Sequence, residues 1–180
     1  AVSAAAGDVP KDIAPIKAPF DMPNLQRPEF PDRTFDIRDY GAKGLSSEEI
    51  EEIDFSHFAG IDTNTEAVHK AIEAAHGAGG GTVLIPAGQW VTGPIHLQSN
   101  VNLHIAEGAV VHFSENVEDY LPVVKVRYPG VEAYNYSPLI YARGMENIAV
   151  TGKGTLDGHG RPWWEWYEAW KEKNGFPFGA

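Results

Sequence analysis

The stretch GPIHLQSNVNLHIAEGAVVHF (93–113) returns in altered form as SPLIYARGMENIAVTGKGTLDG (137–158). Pro94 matches Pro138, Ile95 matches Leu139, Leu103 matches Ile148, Ile105 matches Val150 and Val111 matches Leu156, at an offset of 44 to 45 residues. Removing 114–136, read as an irregular insert, leaves a unit of about 20 residues with three short strands. Such a unit cannot bury its own apolar face, but stacked copies can. Three strands with tight turns in a repeat of this length are the pattern of one coil of a parallel β-helix, an all-β solenoid.

Local patterns agree with coils. From Trp90 onward short β runs alternate with turns: 90–92, 95–97, 101–105, 110–113, 139–142, 147–150 and 155–156. Gly93, Asn100, Gly108, Gly144 and Gly152 separate them. Upstream, Phe35–Ile37 reads as a short strand ending in a glycine turn. A helix is expected over 63–76, with Thr63 as N-cap and Glu66 completing a capping box. Its apolar stripe is Ala67, Val68, Ala71, Ile72 and Ala75, and one such stripe suits a helix capping the first coil.

Residues 1–34 hold six prolines, Pro10, Pro15, Pro19, Pro23, Pro28 and Pro31, and read as an extended arm. The coils, 35–180, then form a single domain expected to continue beyond residue 180. The segment 45–58, with five acids in seven residues, reads as a solvated surface loop. The start AVSAAAG fits either a cleaved signal peptide or an arbitrary beginning.

Several function classes drop out. The glycines of GAGGGTVLIPAG (77–88) precede a strand instead of joining a strand to a helix, and no Gly-Lys-Ser/Thr follows, so this is not a phosphate loop. The chain has 25 Asp and Glu against 14 Lys and Arg, a net charge of −11. Nucleic acid is repelled at long range, and an acidic polysaccharide is held only where cations gather locally. No apolar run approaches the ~20 residues of a membrane span. There are no cysteines, so no disulfide and no thiolate metal site. His96, His104 and His112 are eight residues apart, but in a coil they belong to three strands of three sheets and point in three directions. On this reading no metal or other cofactor is expected.

The segments FDIRDYGAKG (35–44), TNTEAVHKAIEAA (63–75), GGGTVLIPAGQWVTGPIHLQSNVNLHIAEGAVVHFS (79–114), YNYSPLIYA (134–142) and ENIAVTGKGTLDGHGRPWW (146–164) together resemble glycoside hydrolase family twenty-eight, the polygalacturonases. These belong to the pectin-lyase-like right-handed β-helices. The resemblance spans about residues 35–170, the N-terminal part of the family, and departs from it in the acidic insert between Gly44 and Asp62. It implies a secreted or periplasmic hydrolase that cleaves α-1,4-galacturonosyl bonds of a pectic polysaccharide with inversion. In such chemistry one carboxyl protonates the leaving oxygen while another activates water on the opposite face.

The family's signatures are Asn-Thr-Asp, Asp-Asp, Gly-His-Gly and Arg-Ile-Lys. Only Gly158-His159-Gly160 occurs here, and it lies in the earlier Asp-Gly-x-Gly-x-x-Trp-Trp turn, at a variable position. His159 is therefore read as a decoy and Asp157 as a turn residue. No catalytic residue is expected within these 180 residues. Two residues are substrate-binding candidates: Arg127, in the insert beside Lys125 and Glu132, for a uronate carboxylate, and Trp164, for stacking on a sugar ring.

A short aromatic helix is expected after Pro162. Trp163, Trp166, Tyr167 and Trp170 fall on one stripe of about 600–1000 Å², expected to pack on the coil side, and Trp164 lies off it. Two functions stay open: the N-terminal part of a pectin-degrading hydrolase, and a non-catalytic β-helix module for carbohydrate binding or assembly.

Overall fold

Strand pairing runs from one circuit of the chain to the next. The computed structural model describes residues 17–21, 27–46, 48–49, 64–128 and 130–175. Strand β1 (Thr34–Asp36) and a 3-10 turn (Ile37–Tyr40) precede helix α1 (Thr65–Gly77). Strands β2 (Gly81–Ile85), β3 (Gly88–Thr92), β4 (Ile95–His96), β5 (Val101–Ile105) and β6 (Ala109–Phe113) follow. After β7 (Val124–Tyr128) and β8 (Val131–Asn135) come β9 (Ile140–Tyr141), β10 (Ala149–Gly152), β11 (Thr155–Asp157) and helix α2 (Arg161–Asn174).

Three parallel ladders result: β1-β2-β5-β10, β3-β6-β11 and β4-β9. The chain visits them in turn, which is the connectivity of parallel β-helix coils. Alternation sends every second side chain inward, so residues paired across a ladder stack in the core. Val83 lies opposite Leu103 and Leu103 opposite Val150; Ile85 lies opposite Ile105. Val83, Ile85, Ile95, Val101, Leu103, Val111 and Phe113 are buried. Each such side chain contributes about 1.5–3 kcal/mol.

Two details of the repeat differ from the sequence alignment. Leu103 faces Val150 instead of Ile148, and Ile105 faces Gly152 instead of Val150. The slip of two residues keeps the same faces inward. Its cause is a tighter corner: only Lys153 and Gly154 join β10 to β11, and both backbone N–H groups donate to the Ile105 carbonyl at 3.1 Å. A Cβ at Gly152 (φ +108°) would overlap that oxygen. Ile95 likewise pairs with Ile140 instead of Leu139, while Val111 faces Leu156 as aligned.

In α1 all five expected stripe residues are buried, against the first coil and the 3-10 turn. Thr63, the expected N-cap, lies outside the described residues. The capping position is Asn64, whose side chain makes no bond to the helix. It fastens neighbouring segments instead. Its Oδ1 accepts from Lys43 N–H at 2.7 Å, and its Nδ2 donates to the carbonyls of Lys43 and Val91, both at 3.0 Å. Glu66 pairs with Lys70 at 2.7 Å. Of the acidic stretch 45–58, residues 47 and 50–58 lie outside the described residues.

The insert is not irregular. It holds a 3-10 turn (Val117–Tyr120) and an antiparallel hairpin of β7 on β8. The hairpin was illegible because β8 is exposed on both faces, so its alternation carries no apolar-in signal. The aromatic helix forms where expected, but its stripe is not buried. Trp163 meets Tyr120 edge-on at 5.5 Å, whereas Trp166 is 62% and Trp170 38% exposed. Periodicity records a stripe without recording what lies opposite it.

Candidate functional site

The hairpin and the third ladder together form a cationic cleft. Tyr141 on β9 donates its hydroxyl to the Lys125 carbonyl at 2.8 Å, which ties β7 to the coil. Two adjoining hollows share Tyr141 and Arg143. One, of about 410 Å³, is lined by Lys125, Arg127, Glu132, Pro138 and Ile140. The other, of about 370 Å³, is lined by His69, Glu73, His96, Gln98 and Met145. Glu132 pairs with Lys125 and, at 3.5 Å, with Arg143. Two cations therefore pair with one carboxylate, and a third, Arg127, lines the same hollow, in a chain of net charge −11. Arg127, opposite Glu132 in the hairpin register, makes no ion pair within the described residues. Such a fork of donors suits carboxylates.

Hydrogen bonds fix the histidine pair in the second hollow. His96 N–H donates to His69 Nε2 at 3.1 Å, so that ring nitrogen carries a lone pair. His96 Nε2 lies 2.8 Å from Ser137 Oγ, whose own proton goes to the Pro138 carbonyl. His96 is thus the donor. Burial pushes both imidazoles below the usual range, and for His96 the neighbouring His69 adds to this.

Trp164 lies elsewhere. It is 69% exposed, on the rim of a third hollow of about 480 Å³ with Tyr120, Leu139, Asp157, His159 and Trp163. The two substrate-binding candidates do not meet, and Pro138 is the one lining residue their hollows share.

His96, His104 and His112 do sit in three different ladders. His112 nevertheless has a histidine partner: its Nδ1 is 2.9 Å from His159 Nε2. Asp157 is the strand neighbour of His112, and its Oδ1 accepts from His159 N–H at 3.0 Å, the turn role expected of it. Comparing histidines within one coil misses those stacked between coils. The match of Val111 to Leu156 already implied that His112 lies beside Asp157.

The parallel ladders place the chain among parallel β-helix proteins. The comparisons narrow this. The chain is 30% identical over 156 residues to a probable polygalacturonase of Vitis vinifera, covering 81% of this chain and 32% of that one. The crystal structure of a hyperthermoactive exopolygalacturonase from Thermotoga maritima superposes with a TM-score of 0.68 at 39% identity, over 87% of this chain and 32% of that one. The chain is thus homologous to polygalacturonases and exopolygalacturonases over most of its length, and it spans about a third of the length of these relatives. A mannuronan C5-epimerase of Azotobacter vinelandii also matches, with 39% identity over 138 residues, 69% of this chain and 7% of that one. The likeness thus follows the coils more than any one chemistry. No family model matches the chain.

Proposed function

We propose that this chain supplies the N-terminal coils of a secreted or periplasmic pectin-degrading glycoside hydrolase of the polygalacturonase type. That hydrolase cleaves α-1,4-galacturonosyl bonds with inversion. The coils form a right-handed β-helix, α1 caps its first turn, and the catalytic carboxylates lie outside these 180 residues. The role of this segment is to hold uronate units of a pectic chain, with Arg127 as the carboxylate ligand and Lys125 and Arg143 beside it. Trp164 offers a separate stacking surface for a sugar ring.

The observation that carries this reading is the cationic cleft. An acidic chain homologous to polygalacturonases gathers Lys125, Arg127 and Arg143 on one wall, where a polyuronate needs them. Exposed apolar positions on the third coil, Val150 at 44% and Leu156 at 39%, support further coils stacking there. Among the described residues no helix is long and apolar enough to cross a membrane, which is compatible with export.

The test is calorimetric titration of the protein with trigalacturonate and with its methyl ester. The acid binds and the ester does not. Arg127→Ala weakens binding about 10- to 100-fold, the worth of a charge-assisted hydrogen bond. Equal binding of acid and ester, or an unaffected Arg127→Ala variant, refutes the cleft. Reducing ends released from polygalacturonate by these 180 residues would refute the assignment of catalysis elsewhere.

A further inference from the structure

The stretch LDGHGRPWW has no part in the cleft, yet its polar groups converge on one point. We propose that His112, Asp157 and His159 form a binding site for a divalent transition-metal ion of the zinc class, clamping the second coil to the third. This site is independent of the polygalacturonase reading.

One ligand atom from each residue lies within 4.8 Å of the other two. His112 Nδ1 and His159 Nε2 are 2.9 Å apart, and His159 Nε2 is 3.8 Å from Asp157 Oδ2. Ligands about 2.0–2.1 Å from a tetrahedral ion stand roughly 3.3 Å from one another, between these two values. Only small movements are needed to admit the ion.

The backbone builds this convergence. The β6–β11 ladder sets Asp157 beside His112. The turn after β11 then brings His159 back over them, in a left-handed conformation (φ +42°) that few non-glycine residues adopt. The bond from His159 N–H occupies Asp157 Oδ1 and leaves Oδ2 towards the imidazoles.

An outer hydrogen bond orients the first ring, and a carboxylate stands behind the second. His112 Nε2 lies 2.6 Å from Gln89 Oε1, so that nitrogen carries the proton and Nδ1 presents a lone pair. His159 Nδ1 faces Glu115 Oε1 at 4.0 Å. An acceptor behind each ligating imidazole is the usual support of a metal site. Glu115 points the same way for a second reason. Its side chain is only 8% exposed, and its Oε2 is buried without a hydrogen-bond partner among the described residues. A buried carboxylate is costly unless positive charge compensates it, and a dication balances Glu115 and Asp157 together. Without the ion, the His159 Nε2 proton bridges to His112 Nδ1. With the ion bound, His159 Nε2 is a ligand and the proton sits instead on its Nδ1, on the Glu115 side, so the ring stays neutral.

Two imidazoles and one carboxylate suit zinc and its neighbours. Calcium and magnesium require mostly oxygen ligands. Asp157 and His159 also line the Trp163–Trp164 hollow, which leaves one side of the ion open to water.

The chelator-treated protein is titrated with Zn²⁺ by calorimetry, and with Co²⁺ by visible absorption. We expect one saturable equivalent, a raised Tm, and the intense d–d band of a four-coordinate ion. His159→Asn keeps a residue tolerant of the left-handed turn, and Asp157→Asn keeps the acceptor for the turn bond. Each weakens Zn²⁺ binding at least tenfold, whereas His104→Gln does not. Calcium leaves Tm unchanged. Absence of saturable binding, a six-coordinate cobalt spectrum, or equal binding by wild type and both site variants overturns the site, as does an equal loss in His104→Gln.

Discussion

Replacing Gly152 by alanine tests the corner that sets the third coil. Two glycines of this region have positive φ but different surroundings. Gly144 (φ +68°) has open space where a Cβ would go. At Gly152 (φ +108°) the added carbon would overlap the Ile105 carbonyl oxygen and lie 2.7 Å from its carbon and 2.9 Å from its nitrogen. Carbon atoms in ordinary contact stand about 3.5–4.0 Å apart. The backbone conformation alone costs about 1–2 kcal/mol at either site. At Gly152 the strand must also retreat from Ile105. That movement breaks the bonds from Lys153 N–H and Gly154 N–H to the Ile105 carbonyl. At about 0.5–1.5 kcal/mol each, they add roughly 1–3 kcal/mol. Gly152→Ala is thus expected to cost about 2–5 kcal/mol and Gly144→Ala about 1–2. Urea denaturation gives the difference, and amide exchange over 149–157 shows whether the loss is local. If Gly152→Ala is no more destabilising than Gly144→Ala, close approach is not what fixes the two-residue slip.

Asn64→Ala removes one acceptor and two donor bonds between Lys43, Val91 and the start of α1. It should cost about 2–4 kcal/mol in chemical denaturation, and a loss under 1 kcal/mol would show that water replaces it. Stability should also fall on mild acidification. His69 and His96 are depressed by burial and are faced by Glu73 on α1, Tyr141 on β9 and Arg143. A depressed base binds fewer protons folded than unfolded, so stability is full above the ordinary histidine pKa of about 6.5 and drains as pH falls below it. Tm at pH 5.5 should lie below that at pH 7.5, and the His69→Gln, His96→Gln double variant should flatten this slope. An unchanged slope in the variant would assign the effect to other groups.

The architecture was legible because coils write themselves as a repeat. The buried aliphatics Leu103 and Val111, and the α1 stripe from Ala67 to Ala75, all follow from periodicity. The register of β10 on β5 was not legible. It depends on how few residues the Gly152–Gly154 corner needs, which is a matter of close approach and not of pattern. The fate of the aromatic stripe was hidden for a related reason. Trp163 finds Tyr120 while Trp166 finds solvent, and nothing in the helical spacing distinguishes them.

The polar groups obey the same logic. In a coil the inward positions are spent on packing, so chemistry must come from outward positions and from inserts. Outward neighbours are one circuit apart in sequence: His112 and Asp157 meet in a ladder, and Asn102 reaches Thr82 on one side and Thr151 on the other. Motif spacing within one coil therefore carries little information about clustering, while register between coils carries nearly all of it. Inserts escape even that rule. Arg127 reaches the cleft because the Tyr141 hydroxyl anchors the hairpin at Lys125, a contact across 16 residues between an irregularly placed ribbon and a two-residue strand. The cationic wall is thus tied to the coils by this hydrogen bond and by the Glu132–Arg143 pair, two tertiary contacts that no repeat in the sequence encodes.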